Sequence, residues 1–353
     1  PAGFYYKTFM WPPSFWYKIY EPFIRMAAGF GEASIKHDKE RYEHKYEYCD
    51  LLITGSGPSG LASAYAAAKN GARVILAEDK PRFGGSLLTS DVNIGNQTGV
   101  EWTEKIIAEL KSMPNVTVKN RSQVFGYYDH NMLVMSERIS DHLPKTQKYL
   151  PKQRLWYIRA NEVLISSGSI ERPLVFGNND TPGVMLSSAA KEYMKVYGVL
   201  VGKKPLIFTN NDSGYETAIE FKKNGVNPII LDTRSNPSSD IITEAKNLNI
   251  EIRFSYVVVA AKGYKKVKSA DIAKISDDKK ELFNIENIEC DCICVSGFWT
   301  PSIHLASQSG NKSKFNEKID AFVPDKSKQQ ENTIGSANGI FTLEETIKDA
   351  FDK

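Results

Sequence analysis

Three glycines in the spacing Gly55-x-Gly57-x-x-Gly60 directly follow the apolar run 49–54, and an acid, Glu78, comes eighteen residues after the last of them. Between them lie an alanine-rich helical pattern, residues 61–69, and a second apolar run, residues 72–77. Strand, glycine turn, helix, strand and acid in this order make a site for the pyrophosphate and ribose of an adenine dinucleotide. Each residue type has a physical task. Gly55 permits the tight turn, Gly57 lets the backbone approach the pyrophosphate, and Gly60 lets helix and strand pack closely. The helix N-terminus offers N–H groups and the positive end of its dipole to the phosphates. A carboxylate at position 78 accepts hydrogen bonds from a ribose diol and disfavours a 2′-phosphate, which selects NAD or FAD over NADP.

Other reactive residue types do not assemble into a catalytic set. Cys290, Cys292 and Cys294 alternate as along one face of a strand. Their Cα atoms would lie about 6.5 Å apart at successive steps, which disfavours a disulfide and fits buried core thiols. No Cys-x-x-Cys occurs, which excludes a dithiol centre. His304 follows Trp299 in a segment able to approach the nucleotide and reads as a hydrogen-bonded structural histidine rather than a base. There is no metal-spaced His/Asp/Glu set and no Ser/His/Asp arrangement, so no catalytic residue and no metal ligand is assigned. A second strand–turn–helix–strand unit begins at residues 205–209, with Asn210-Asn211-Asp212-Ser213-Gly214 at its phosphate turn and Asp232 at its second strand end. Most glycines are lost there, and the Asp212 charge would repel a phosphate. This unit is expected to be a degenerate scaffold.

The chain that must position these residues has 353 residues, enough for two domains with sizeable cores and a third small element. Its 41% hydrophobic and 25% charged residues are those of an ordinary globular protein. With a net charge of +3 and scattered lysines it has no nucleic-acid footprint, and no run approaches the ~20 apolar residues of a membrane span. Four cysteines without a framework spacing fit a reducing cytoplasm. Residues 1–48 form an aromatic arm, dense in Phe, Tyr and Trp and broken by Pro12, Pro13 and Pro22, which must cover its own domain or a partner. A glycine doublet, Gly84-Gly85, follows the second strand; Ser166-Ser167-Gly168 ends a buried strand; a small-residue turn, 335–339, comes late. These features suggest that the second unit is inserted into the first and that the late turn lies against the pyrophosphate. The expected fold is α/β, with two Rossmann-like dinucleotide-binding domains of the glutathione-reductase type. The first comprises residues 49–175 with 286–353, the inserted one 176–285.

Particular stretches carry a family likeness. They are Gly3-Phe4-Tyr5-Tyr6-Lys7-Thr8-Phe9-Met10-Trp11-Pro12, Gly84-Gly85-Ser86-Leu87-Leu88 and Ile170-Glu171-Arg172-Pro173-Leu174-Val175-Phe176, with Asn179-Asp180-Thr181-Pro182-Gly183-Val184-Met185. Thr209-Asn210-Asn211-Asp212-Ser213 and Ser296-Gly297-Phe298-Trp299-Thr300-Pro301 complete the pattern. The chain resembles the central part of the alpha subunit of heterotetrameric sarcosine oxidase, in the flavoprotein superfamily with two dinucleotide-binding domains. Opine oxidases, cyanide synthases and dye-linked proline dehydrogenases share the middle of the pattern. The resemblance implies an oxidoreductase subunit acting on CH–NH groups, with sarcosine demethylated to glycine, formaldehyde and hydrogen peroxide. It implies FAD on a beta subunit, FMN shared at the alpha–beta boundary, NAD in the alpha subunit (FAD being the alternative in that site), and smaller gamma and delta subunits. It places Gly55, Gly57, Ser59 and Gly60 at the phosphates, and Glu78, Asp79 and Lys80 at the adenosine ribose and its rim. Gly85 and Ser86 come from the doublet, Val124 and Phe125 from the adenine edge, and Ala337 and Thr342 from the closing turn. The family's small preceding domain and its folate-binding C-terminal domain are not in this sequence, so folate chemistry is not credited to it.

Overall fold

The computed structural model describes residues 11–31, 33–144 and 149–352. Phe4, Tyr5, Tyr6 and Phe9 of the aromatic arm lie outside them. By compactness the chain divides into Pro1–Arg41 and Tyr42–Lys353. In the first unit a helical path runs from a 3₁₀ turn, Pro13–Phe15, through the π-helical Trp16–Tyr20 into the α-helix Glu21–Ala27. The prolines do not interrupt it. Pro13 opens the path, where a missing N–H costs nothing, and Pro22 stands second in the α-helix, directly after the π-helical residues.

In the second unit the strand expected from residue 49 begins seven residues earlier, as β1 (Tyr42–Thr54). The chain continues through α1 (Pro58–Lys69), β2 (Val74–Ala77), α2 (Gly99–Ser112), β3 (Val116–Lys119), β4 (Ser122–Tyr128), β5 (Met132–Arg138) and β6 (Gln153–Ile165). Their sheet order is β3-β2-β1-β6-β5-β4, and Glu331–Thr333 adds to β6. β1 and β6, both long, run parallel, from Tyr42 beside Gln153 to Thr54 beside Ile165. The first half of β6 pairs antiparallel with β5, and its second half pairs parallel with Glu331–Thr333. The two strands therefore serve a parallel sheet and an antiparallel meander at once. Apolar residues on alternate faces fill two cores. One holds Leu52, Ile75, Trp156 and Ile158 under the meander; the other holds Ile53, Leu61, Leu76, Ile106 and Leu110 beneath α1 and α2. Thr98 and Glu101 close a reciprocal capping box at the start of α2.

After β7 (Ser169–Glu171) the chain builds a second, all-parallel sheet. It contains β8 (Val184–Leu186), α3 (Ser187–Tyr197), β9 (Pro205–Thr209), α4 (Ser213–Lys223), β10 (Ile229–Asp232), α5 (Asp240–Asn247) and β11 (Glu251–Phe254). A three-stranded antiparallel layer follows, β12 (Tyr256–Lys262), β13 (Ser269–Ile275) and β14 (Leu282–Glu289). β15 (Cys292–Ser296) then takes its place between β8 and β9. By strand pairing this unit reaches Ser296, beyond residue 285. β16 (Trp299–Pro301) pairs back on β7, so one two-stranded crossing carries the chain out and home. β17 (Glu331–Thr333), a 3₁₀ turn at Gly335–Asn338 and α6 (Leu343–Asp352) complete the first sheet's layer. Among the described residues no helix is long and apolar enough to cross a membrane.

The cysteines are free and buried. Cys292 and Cys294 share the core beneath α3 and α4, but Cys290 faces the opposite core, because the chain bends at Asp291 before β15 begins. The Asp291 carboxylate fixes that bend by accepting the N–H groups of Lys203 and Lys204, both at 2.8 Å. Three thiols on one face is therefore corrected to two and one. Burial pushes both the Cys49 and Cys290 thiols up to about 12.

Candidate dinucleotide-binding site

The three fingerprint glycines are needed for different reasons. Gly55 has φ +104°, and a Cβ there would stand 2.2 Å from the Ser166 carbonyl oxygen on the end of β6. A Cβ at Gly60 would stand 2.0 Å from the Gly55 carbonyl oxygen. Both are demanded by the protein's own packing. Gly57 is not: its φ is −67°, and a Cβ there would meet nothing within 4 Å. The space over Gly57 is open, at the N-cap of α1, which has no side-chain cap of its own. First-turn N–H groups without partners in the helix are what an anion needs. Across this space stands the doublet, Gly84 (φ +119°) and Gly85 (φ +54°); a Cβ on Gly85 would come 2.9 Å from the Gly57 Cα. The Gly84 N–H donates to the Ser56 carbonyl at 3.0 Å, tying doublet to turn.

Glu78, at the tip of β2, is 7% exposed and already committed. Its Oε2 accepts from the Ser56 N–H at 2.9 Å and from the Ser56 hydroxyl at 2.5 Å, while Oε1 accepts the Lys80 N–H at 2.9 Å. A carboxylate offers about four acceptor positions, so about one remains, on Oε1, for a ribose hydroxyl. Burial, with the neighbouring Asp79, raises its pKa above the usual carboxylate value, and the Ser56 and Lys80 hydrogen bonds pull it back down in part. Ser56 is the functional residue that sequence reasoning passed over. Its place between the first two glycines, one strand away from an acid, was the available signal.

The remaining expected residues fall into two groups. Asp79 and Lys80 are exposed on the rim. Lys80 forms an ion pair with Glu192 of α3 at 2.8 Å, and Asp91 pairs with Lys195 of α3 and, at 2.7 Å, with Lys223 of α4. The loop 79–92 is thereby bound to the second sheet's helices. Ser86 is exposed in a 3₁₀ turn after the doublet. Val124 and Phe125 lie beyond Glu78, where the Ser122 N–H donates to the Glu78 carbonyl at 2.7 Å; Phe125 is exposed at the bulge in β4. Ser59 is buried and shares a hydroxyl–hydroxyl hydrogen bond of 2.8 Å with Ser166. Gly335 packs on Ser59, its N–H held by Asp349 of α6 at 2.9 Å. Ala337 is fully buried in the turn, and Thr342 is exposed as the first residue before α6, its hydroxyl donating to Glu345 at 2.6 Å. His304 is exposed, with Nδ1 3.3 Å from the Ser302 hydroxyl, and among the described residues it belongs to no group of His, Cys, Asp or Glu that could hold a metal ion.

The second phosphate turn is filled by its own side chains. The Asn211 side chain accepts the Ser213 N–H at 2.9 Å, and its amide donates to the Ser296 carbonyl at 3.0 Å. The Trp299 indole N–H donates to the Ser213 hydroxyl at 2.9 Å. Asp232, fully buried at the tip of β10, accepts from the Tyr215 hydroxyl at 2.7 Å and from Arg234, which also pairs with Asp212 at 2.8 Å. Burial works against the charged Arg234, but hydrogen bonds to Asp232 and Asp212 outweigh it and raise its pKa. Asp212 therefore faces a guanidinium in its own chain rather than an empty phosphate seat.

Residues 49–331 match the family model described as pyridine nucleotide-disulphide oxidoreductase. The chain belongs to that family. It is 41% identical over 323 residues to sarcosine oxidase subunit alpha of Rhizobium meliloti (strain 1021), covering 91% of this chain and 32% of that protein. To the sarcosine oxidase subunit alpha of Corynebacterium sp. (strain P-1) it is 33% identical, over 89% of this chain and 33% of the relative. The chain thus spans about a third of the length of the curated relatives it matches. Among solved structures, thioredoxin reductase of T. acidophilum superposes with a TM-score of 0.65 at 17% identity, over 86% of this chain and 95% of that one. That likeness shows the fold, which is α/β with two nucleotide-binding-like units, as the sequence reading expected. The family resemblance read from the motifs likewise holds over nine tenths of the chain.

Proposed function

We propose that this chain is the dinucleotide-binding part of the alpha subunit of a sarcosine oxidase and holds NAD in its first unit. The observation that carries the proposal is Gly57: its φ is ordinary, and the space where a Cβ would go is open in front of first-turn N–H groups that no side chain caps. The relatives named sarcosine oxidase subunit alpha supply the reaction. In this reading the residues 57–60, with Gly85 and Ser86, receive the pyrophosphate. Glu78 takes a ribose hydroxyl on its remaining acceptor position, Asp79 and Lys80 form the rim, and Val124 and Phe125 border the adenine. Ala337 and Thr342 belong to the closing side. The chain divides at the β7–β16 crossing into this domain and an inserted one that carries no nucleotide.

A bound dinucleotide supplies hydride-transfer chemistry in principle. What this chain contributes is grip and orientation, since the acid at the turn, Glu78, is committed to Ser56 and Lys80. Sarcosine would be oxidised to glycine, formaldehyde and hydrogen peroxide at an FAD on a beta subunit, with an FMN at the shared boundary and gamma and delta subunits completing a cytoplasmic complex. The test is to denature purified chain and determine the mass and absorbance of what it releases. A colourless adenine dinucleotide of the mass of NAD is expected. A flavin band would place FAD in the same seat, and no released dinucleotide together with none bound by calorimetry would defeat the reading.

A further inference from the structure

We infer that Phe298 and Phe341, backed by Arg172, form the seat for the ring-bearing half of the dinucleotide; the inference rests on the proposed site and assigns its far end. With the pyrophosphate over Gly57 and the adenosine directed to Glu78, the other half of the molecule must leave in the opposite direction, past the turn Gly335–Asn338. What stands beyond that turn is aromatic. Phe341 follows Gly339 by two residues, and β16, which Phe298 leads into, packs on the same turn. The two rings meet edge to face with centroids 5.3 Å apart, and the Arg172 guanidinium lies 5.8 Å from the Phe298 ring centre.

Phe298 is also a backbone anomaly. Its φ is +77°, in the left-handed region that bulky side chains avoid. Such a conformation persists only where the surroundings over-determine it, and it gathers at ligand sites. Here the surroundings are explicit. The Arg172 N–H donates to the Phe298 carbonyl at 2.8 Å and the Gly297 N–H to the Arg172 carbonyl at 2.7 Å, so the backbone of Arg172, just after β7, grips the residue from both sides. Gly297 is obligatory, because a Cβ there would stand 2.7 Å from that same carbonyl. Arg172 in turn is anchored through NH1 to the Asp320 carbonyl at 2.8 Å and through NH2 to that of Ile319 at 3.3 Å, and Ile319 packs against Gly339. Its Nε–H has no acceptor. Two half-buried aromatic rings held by this framework at the mouth of a dinucleotide turn suit a planar heteroaromatic ring, whether nicotinamide or flavin.

The experiment compares ligands with and without that ring. Nucleotide-free chain is titrated by calorimetry with NAD, FAD and ADP-ribose, in wild type, Phe298→Gly and Phe341→Ala. Glycine relaxes the positive φ, so Phe298→Gly should fold at least as well as wild type in a melting experiment. It should nonetheless bind the preferred dinucleotide about tenfold more weakly, with ADP-ribose within twofold of wild type. Phe341→Ala should show the same selective loss. Which of NAD and FAD suffers it identifies the ring. Equal changes for dinucleotide and ADP-ribose, or no change for either, would overturn the aromatic seat while leaving the pyrophosphate site standing. A wild-type chain that binds none of the three ligands would remove the site itself and this inference with it.

Discussion

Replacing Gly57 with alanine separates a glycine kept for a ligand from glycines kept for the fold. The new methyl meets no atom within 4 Å, and φ −67°, ψ −177° is a conformation any residue adopts. Two small effects on the free protein oppose one another. Alanine at an N-cap costs roughly 0.5 kcal/mol relative to glycine, whereas removing a glycine's freedom from the unfolded chain stabilises by about 0.4–1 kcal/mol. They offset, so Gly57→Ala without nucleotide should melt within about 2 °C of wild type. Gly60→Ala is the control, since its methyl would lie 2.0 Å from a backbone oxygen and something must move. Overpacking of that kind costs about 1–3 kcal/mol or more. Nucleotide then reads the difference. At ~100 times its dissociation constant, NAD should stabilise the wild type by ~2.7 kcal/mol, a shift of several degrees, and Gly57→Ala by almost nothing. The assay is differential scanning fluorimetry with and without NAD, confirmed by calorimetry. If Gly57→Ala melts normally and still gains the wild-type shift, the open space over Gly57 is not where the pyrophosphate sits.

Three further outcomes are expected. Burial raises the Glu78 pKa above its unfolded value, so the folded chain binds the extra proton: stability is present below the unfolded pKa and falls as pH rises through the folded one. Urea unfolding between pH 4 and 7 should show this slope in wild type and lose it in Glu78→Gln; an unchanged slope would show that burial there is not felt. Arg234→Ala leaves the fully buried Asp232 charge without its cation and should cost about 3–5 kcal/mol in urea unfolding, while Arg234→Ala combined with Asp232→Asn should recover much of it. With Cys49 and Cys290 pushed up to about 12, native chain at pH 8 should resist alkylation by iodoacetamide and take up label only in denaturant; rapid native labelling would contradict their burial.

The first turn was legible because its demands are local. Glycine spacing, the following alanine helix and Glu78 all sit within one strand–helix–strand unit, where backbone sterics leave few choices. Ser56 was not, since its partner Glu78 is reached only once β1 and β2 pair. The same holds for Arg234, whose neutralisation of Asp212 needs the end of β10 to fold back over the turn. Strand β13 hid between charged flanks, residues 265–268 and 277–281. Ala270, Ile272 and Ala273 are fully buried, but a bulge beside Ile272 breaks the alternation that would have marked them. The first half of β6 was missed too, because Arg154 and Arg159 interrupt the apolar run that Trp156 and Ile158 bury. Helix α3 buries only Ser187, Ala190 and Met194, too slight an apolar stripe to stand out in a sequence.

The pairing of β17 with β6 has a consequence for how the molecule is made. Thr333 lies beside Ile165, and the Ile334 N–H donates to the Ile165 carbonyl at 2.9 Å, across an intervening sheet that the ribosome must deliver first. Until residues 331–349 emerge, β6 has an open edge along Val163, Leu164 and Ile165, and Ser59 waits without Gly335. Nascent chains therefore pass through a stage in which the inserted sheet can be complete while an apolar strand edge elsewhere stays uncovered, the species most prone to associate with its like. Synthesis order, rather than final stability, sets the interval of risk, and the arrival of β17 ends it.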